Sequence, residues 1–272
     1  MRALCVIFAA ASVVTVAAVD RSAAADIPAP APMVAASPLS PVSYAWSGFY
    51  VGVHAGYGWS DGDTTIGITD PTGVAQTIAA AGGFPLRYSY DRSGYVAGGQ
   101  LGFNYQTGPW VWGLEGDISA TGIDGAQTTV LPACPICTLP NSSTVSQSMD
   151  WFATLRARAG YAVNNWLFYG TAGVAFADVK YSYLQTNVPF GGALNSAGTD
   201  NQTEIGWTGG FGVEYGWGPW SAKVEYLYYD LGDRTFVVPH NLVPTVVQFN
   251  PKFENHGSIV RGGVNYRFTA VP

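Results

Sequence analysis

Charge is scarce in this sequence: only 11% of its 272 residues are Asp, Glu, Lys or Arg, against about 25% in an ordinary soluble domain. A water-facing surface for a domain of this size needs more charge than that. Long apolar runs are missing too, because nothing after residue 25 approaches the roughly 20 residues that a membrane-spanning helix requires. The two absences together leave a closed β-barrel as the membrane solution, since its strands satisfy one another's backbone polar groups. Cysteine is nearly absent, with three in all. Cys5 lies in the N-terminal apolar stretch, and Cys134 and Cys137 stand in Cys-Pro-Ile-Cys. In an oxidising compartment that pair is expected to form one small local disulfide. No histidine or second cysteine pair stands nearby to complete a four-ligand zinc site, so no metal is expected. The flanking Thr, Ser and Pro residues lack the βαβ setting of a redox motif.

The N-terminus reads as a secretory signal over residues 1–25: Met1-Arg2, an apolar stretch from Ala3 to Val19, then Ala23-Ala24-Ala25 as a small-residue cleavage site. Cleavage there leaves 10 basic and 17 acidic residues, a net charge of −7. An acidic chain disfavours a nucleic-acid partner, which needs clustered Lys and Arg, so none is expected. Residues 26–45 carry Pro28, Pro30, Pro32, Pro38 and Pro41 in an Ala-rich setting, the composition of an extended linker, here periplasmic.

From residue 46 the chain alternates with the period of a strand. Phe49, Val51, Val53, Ala55, Tyr57 and Trp59 share one face, and Tyr50, Gly52, His54, Gly56, Gly58 and Ser60 the other. Seven further segments repeat the pattern, over residues 93–106, 110–118, 150–161, 166–177, 204–215, 220–230 and 256–268. Thr107-Gly108-Pro109, Asn164-Asn165 and Gly216-Trp217-Gly218-Pro219 are tight-turn signals. The other four connections are longer, roughly 25 to 30 residues, the asymmetry of periplasmic turns and extracellular loops in outer-membrane barrels. Asp61-Gly62-Asp63 is read as the opening of the first loop, and no loop shows helical periodicity. The expected fold is all-β, an eight-stranded antiparallel up-and-down transmembrane barrel over residues 46–268 with long extracellular loops, followed by a short tail over 269–272.

Alternation alone also fits a soluble lipocalin-like barrel. An eight-stranded interior has room only for side chains that fill it, so the face rich in Gly and short polar residues belongs inside. All nine tryptophans lie at or beside the ends of these segments, and Trp59, Trp110, Trp112, Trp151, Trp166, Trp207 and Trp220 are assigned to interfacial girdles. The inward set then contains Glu115, Asp117, Glu214 and Glu225 with Arg156, Arg158, Lys223, Arg261 and Arg267. Charges shut off from water must be paired, so a salt-bridge plug is expected, with a narrow solute channel as the rival.

His54 reads as a hydrogen-bonded lumen residue, because no nucleophile and orienting carboxylate accompany it in a catalytic pattern. His240 with Tyr226, Tyr228 and Tyr229 could ligate hemin, although an interfacial girdle explains the tyrosines more simply. No phosphate-binding or dinucleotide loop feeds a helix, the Asp61-Gly62-Asp63 oxygens fall short of a calcium site, and no cofactor is expected.

WSGFYVGVHAGYGWS (46–60), GFGVEYGWG (210–218) and VRGGVNYRF (260–268) resemble the small alphaproteobacterial outer-membrane barrel proteins of the porin or OmpA-like β-barrel superfamily, a group with surface antigens and hemin-binding proteins. The resemblance runs from Trp46 to Phe268. It implies a barrel in the outer membrane of a Gram-negative envelope, with structural, antigenic or adhesive roles and no enzymatic one. The partners it implies are outer-membrane lipid and lipopolysaccharide, periplasmic chaperones, and the barrel-assembly machinery, which reads the last strand at Tyr266 and Phe268. In that family the chain usually stops at this aromatic residue, whereas Thr269-Ala270-Val271-Pro272 follows here.

Overall fold

A computed structural model describes residues 44–83, 85–131, 141–187, 195–240 and 247–268. The signal segment, most of the linker, Cys134 and Cys137, and the tail after Phe268 lie outside the described residues.

The strands are β1 (Gly48–Thr69), β2 (Arg87–Thr107), β3 (Trp110–Leu131), β4 (Asn141–Val163), β5 (Trp166–Asn187), β6 (Ser196–Trp217), β7 (Trp220–Thr235), the two-residue β8 (Val238–Pro239) and β9 (Gln248–Phe268), with one helix, α1 (Val74–Ala80). Each long strand pairs antiparallel with its neighbour, β7 pairs with β9, and β9 pairs back with β1, so eight strands close a ring while β8 adds a short pairing on β9. The tight turns each place one residue at positive φ: Gly108, Gly218 and Asn164, the last without a glycine's freedom but with the side chain that best tolerates this region.

Seven of the long strands run 21 to 23 residues and β7 runs 16, where about 9 to 11 suffice to cross a bilayer. This corrects the expectation of long loops. The segments that carry Asp61-Gly62-Asp63 and Gly125 to Ser148 are largely strand, and the first connection contains α1, which the absence of helical periodicity had excluded.

The walls reverse their polarity part of the way up. On β1 the outward residues are apolar from Phe49 to Trp59 and then become Asp61, Asp63, Thr65 and Thr69, while the inward residues turn from Tyr50, Gly52 and His54 to Thr64 and Ile66. β5 does the same, with Trp166, Phe168 and Val174 outward below Asp178, Lys180 and Ser182, and Val179, Tyr181 and Tyr183 inward. Lipid demands an apolar outside, and water demands the reverse, so the switch marks where the wall leaves the membrane. Trp207 and Trp217 stand ten residues apart on β6; at about 3.3 Å per residue and a tilt near 40° that is about 25 Å, the height of a lipid-facing band.

Above the switch the barrel is built like a water-soluble one. Tyr88, Tyr90, Val145, Phe152, Tyr181, Tyr183, Leu227, Phe249 and Phe253 form a buried core inside it, and α1 closes over them through Ala75, with Ile78 and Ala79 packed alongside. Asp70 anchors the helix by accepting from the Thr72 hydroxyl at 2.6 Å and the Ala75 amide at 2.7 Å, bonds that hold its carboxyl below the usual carboxylate range. The β6–β7 ladder ends at Trp207 and Asp230. Beyond it Arg234 reaches back to Asp200 at 2.8 Å and Glu204 at 3.8 Å.

Outer-membrane barrels keep their short turns in the periplasm, so the tight turns are expected there and the helix-capped end outside. A tag inserted just before Asn141 is therefore expected to be labelled on intact cells, and one between Asn164 and Asn165 to be labelled only after lysis. Labelling of the second site alone would reverse the orientation.

Candidate functional site

The slim inner face of the lower barrel leaves space that long polar side chains fill. A Cβ on Gly102 would stand 2.4 Å from the Tyr50 ring, and one on Gly212 would stand 2.5 Å from the Tyr169 hydroxyl, so these glycines are what lets both rings lie across the lumen.

All nine charged residues assigned to the lumen are buried there. Arg156, opposite Glu115 in the β3–β4 register, places Nη2 at 2.6 Å from Glu115 and 2.9 Å from Asp117, and Nη1 at 3.1 Å from Glu225. Lys223 gives Nζ to both Glu115 oxygens at 2.7 and 2.8 Å. Arg261 forks onto Asp117 at 2.9 and 3.0 Å and donates to Glu225 from Nε at 2.9 Å. Arg158 joins Glu214 at 2.7 Å and the Tyr50 hydroxyl at 3.0 Å, with its guanidinium 3.9 Å from the centre of the Tyr169 ring. Tyr50 in turn donates to Glu115 at 2.7 Å and Tyr169 to Glu225 at 3.1 Å.

Four carboxylates thus meet four cations, and neutral groups donate to the carboxylates as well. Thr154 donates to Asp117 at 2.5 Å, and Ser221 and Asn265 donate to Glu214 at 2.5 and 3.0 Å. Gln100 donates to Asn265 and accepts from His54 Nδ1 at 2.9 Å. The other His54 nitrogen lies 2.7 Å from Ser119 Oγ and 3.3 Å from Arg261 Nη1. A guanidinium can only donate, so His54 Nε2 accepts and Nδ1 carries the hydrogen.

Arg267 stands apart from this set. Its closest carboxylate oxygen, on Glu214, is 4.0 Å away, and its guanidinium instead lies 4.8 Å from each of the Tyr44 and Trp46 rings while Nη1 donates to the Ala45 carbonyl at 2.8 Å. Trp46 is fully buried, so it corrects the reading in which all nine tryptophans suit the membrane interfaces. It fills the turn-side mouth of the lumen, tied by its amide to Gln106 at 2.8 Å. Tyr44 and Ala45, on the linker side of the boundary drawn from composition, pack here as well.

Of the seven assigned girdle residues, Trp59, Trp110, Trp112, Trp166, Trp207 and Trp220 are exposed and Trp151 is half-buried, all on the outer wall. Trp110, Trp112, Trp166 and Trp220 ring the turn end with Tyr161, Tyr215, Trp217 and Tyr266. Trp59, Trp151 and Trp207 stand at the polarity switch instead of at strand ends. Tyr266 and Phe268 point outward on β9, with Phe268 paired to Phe49.

The tyrosine cluster proposed for hemin is split: Tyr226 and Tyr228 face outward, Tyr229 inward and buried. The inner hydrogen-bonding residues Tyr50, Tyr169, Gln100, Asn265 and Thr154 were not singled out as a set, although each sits in phase with the charged face. On the outer wall above the switch, Asp124, Ser146, Ser148, Lys180, Ser182 and Asn201 line an open groove of about 500 Å³. Among the described residues no His, Cys, Asp or Glu group is arranged to hold a metal.

A family model described as the outer membrane protein beta-barrel domain matches residues 6–268. The 31 kDa outer-membrane immunogenic protein of Brucella melitensis is 29% identical over 248 residues, covering 88% of this chain and 92% of its own. The 22 kDa outer membrane protein of Rhizobium leguminosarum is 28% identical over 203 residues, 74% and 71% of the two chains. Among solved structures, the outer membrane protein OprG of Pseudomonas aeruginosa aligns over 82% of this chain and 97% of its own at 12% identity, with a TM-score of 0.45.

Proposed function

This chain belongs to the family of the outer membrane protein β-barrel domain, and from that premise we propose that it is a closed barrel that contributes to envelope integrity and presents its polar upper walls to the outside. The observation that carries the reading is contact across the full width of the lumen. β3 and β7 stand opposite each other in a ring of eight, yet Lys223 on β7 touches Glu115 on β3 at 2.7 Å. A conducting pore needs a continuous water-filled path, and here the path narrows to a hydrogen bond. Trp46 adds a second closure at the turn end.

His54 is hemmed between Gln100, Ser119 and Arg261 with no open side toward a substrate, which supports a non-enzymatic role. Outward aromatics of β9, Tyr266 and Phe268, suit recognition by an assembly machinery. The outer wall suits lipid below the switch and the headgroups of lipopolysaccharide at it. The Brucella relative is described as immunogenic, and by that likeness the walls above the switch are the antigenic surface of this chain.

Planar-bilayer recording tests the closed lumen. The wild-type protein is expected to show no steady single-channel conductance; steady ohmic openings would overturn the plug and put a narrow channel in its place.

A further inference from the structure

One buried cation lies outside the plug and has no ion pair among the described residues. Arg92 on β2 is 3% exposed, and its hydrogen-bond partners are the Ser60 hydroxyl at 2.8 Å and the Glu254 carbonyl at 3.1 Å, both neutral. The carboxylates nearest to it in the β1–β3 ladder, Asp61, Asp91 and Asp124, point to the outer face. Its Nε has no partner, and the same holds for the buried Tyr229 hydroxyl.

These unspent donors share one seam, where β9 meets β1. Arg92 reaches Ser60 on β1 and Glu254 on β9, and Ser60 in turn donates to the His256 carbonyl. A Cβ on Gly257 would stand 2.5 Å from Tyr229 Oη and 2.9 Å from the Trp59 carbonyl, and one on Gly62 would stand 3.1 Å from Arg92 Nε. Both partnerless donors therefore face glycines of that seam. Ile123, Phe152, Leu227 and Ile259 belong to the same buried core and Arg92 itself is buried, so bulk water does not screen the guanidinium.

We propose that this seam binds a small monovalent anion of the halide class, held by the Arg92 guanidinium and the Tyr229 hydroxyl. A buried guanidinium without an ion pair is disfavoured, and an anion in that place supplies the counter-charge that a water would not, while accepting from both donors.

Thermal unfolding of the barrel, extracted from outer membranes into detergent micelles, tests it, with sodium gluconate exchanged for sodium chloride at constant ionic strength. The wild-type midpoint is expected to rise with chloride and saturate. Tyr229→Phe keeps the ring that packs on Phe152 with centres 5.2 Å apart and should raise the apparent chloride dissociation constant at least about tenfold, a loss of one hydrogen bond to a charged ligand. Arg92→Gln should abolish the dependence, and if that variant fails to fold, Tyr229→Phe still decides. A wild-type midpoint indifferent to chloride would overturn the site, as would an unchanged chloride response in Tyr229→Phe. Neither outcome bears on whether the lumen below conducts.

Discussion

Replacing Arg156 with alanine is expected to destabilise the barrel by about 3–5 kcal/mol, the scale for removing one partner of a buried ion pair, and to make it leak. The side chain is 1% exposed and serves three carboxylates at once, Glu115, Asp117 and Glu225. After the change Lys223 still holds Glu115 and Arg261 still holds Asp117 and Glu225, but four carboxylates then share three close cations. Removing one negative charge as well should recover part of the loss, so Arg156→Ala combined with Glu225→Gln is expected to be more stable than Arg156→Ala alone. Arg156→Lys keeps the charge but not the fork that spans three acceptors, and falls between. Denaturant titration in lipid vesicles gives the stabilities and bilayer recording gives the leak. Unmoved stability in Arg156→Ala, with a wild type that already conducts, would sink the plug.

An arginine at Leu155 or Val213 is expected to cost about 2–4 kcal/mol, the penalty for a charge near the bilayer midplane. Leu155 is 60% exposed on the outer wall of β4 below Trp151, between Gly116 and Val174 in the register. Val213 sits outward on β6 between Phe168 and Val224. Thr208 provides the contrast, because its hydroxyl points inside and donates to the Tyr228 carbonyl at 2.8 Å. Thr208→Ser keeps that bond and should be nearly silent. The same refolding titration reads all three, and equal tolerance would mean that the inner and outer faces are exchanged.

The amino-acid sequence by itself determined the ring of strands and which face of the lower wall turns inward. Period-two alternation is a local property, and the narrowness of an eight-stranded lumen assigns the slim, charged face to the inside without any coordinates. The inward phase of the nine charged residues from Glu115 to Arg267 was legible as well, and all nine are buried, but Arg267 sits with Tyr44 and Trp46 instead of joining the four carboxylates and four cations. The heights of the walls were not legible. Above the switch, stretches such as residues 61–69 and 178–187 keep the alternation with its polarity reversed, so a search for apolar residues on the outer phase loses the strand and reads Thr and Ser as loop. Only the solvent on the other side of the wall, known once the structure is assembled, tells the two cases apart. The partnerships inside also waited for closure. Lys223 and Glu115 are 108 residues apart and on opposite sides of the ring, and no local signal pairs them. Trp46, beside the start of the first strand by its place in the chain, turned inward because the closing of β9 on β1 brought Arg267 beside it and gave its ring a buried cation to cover.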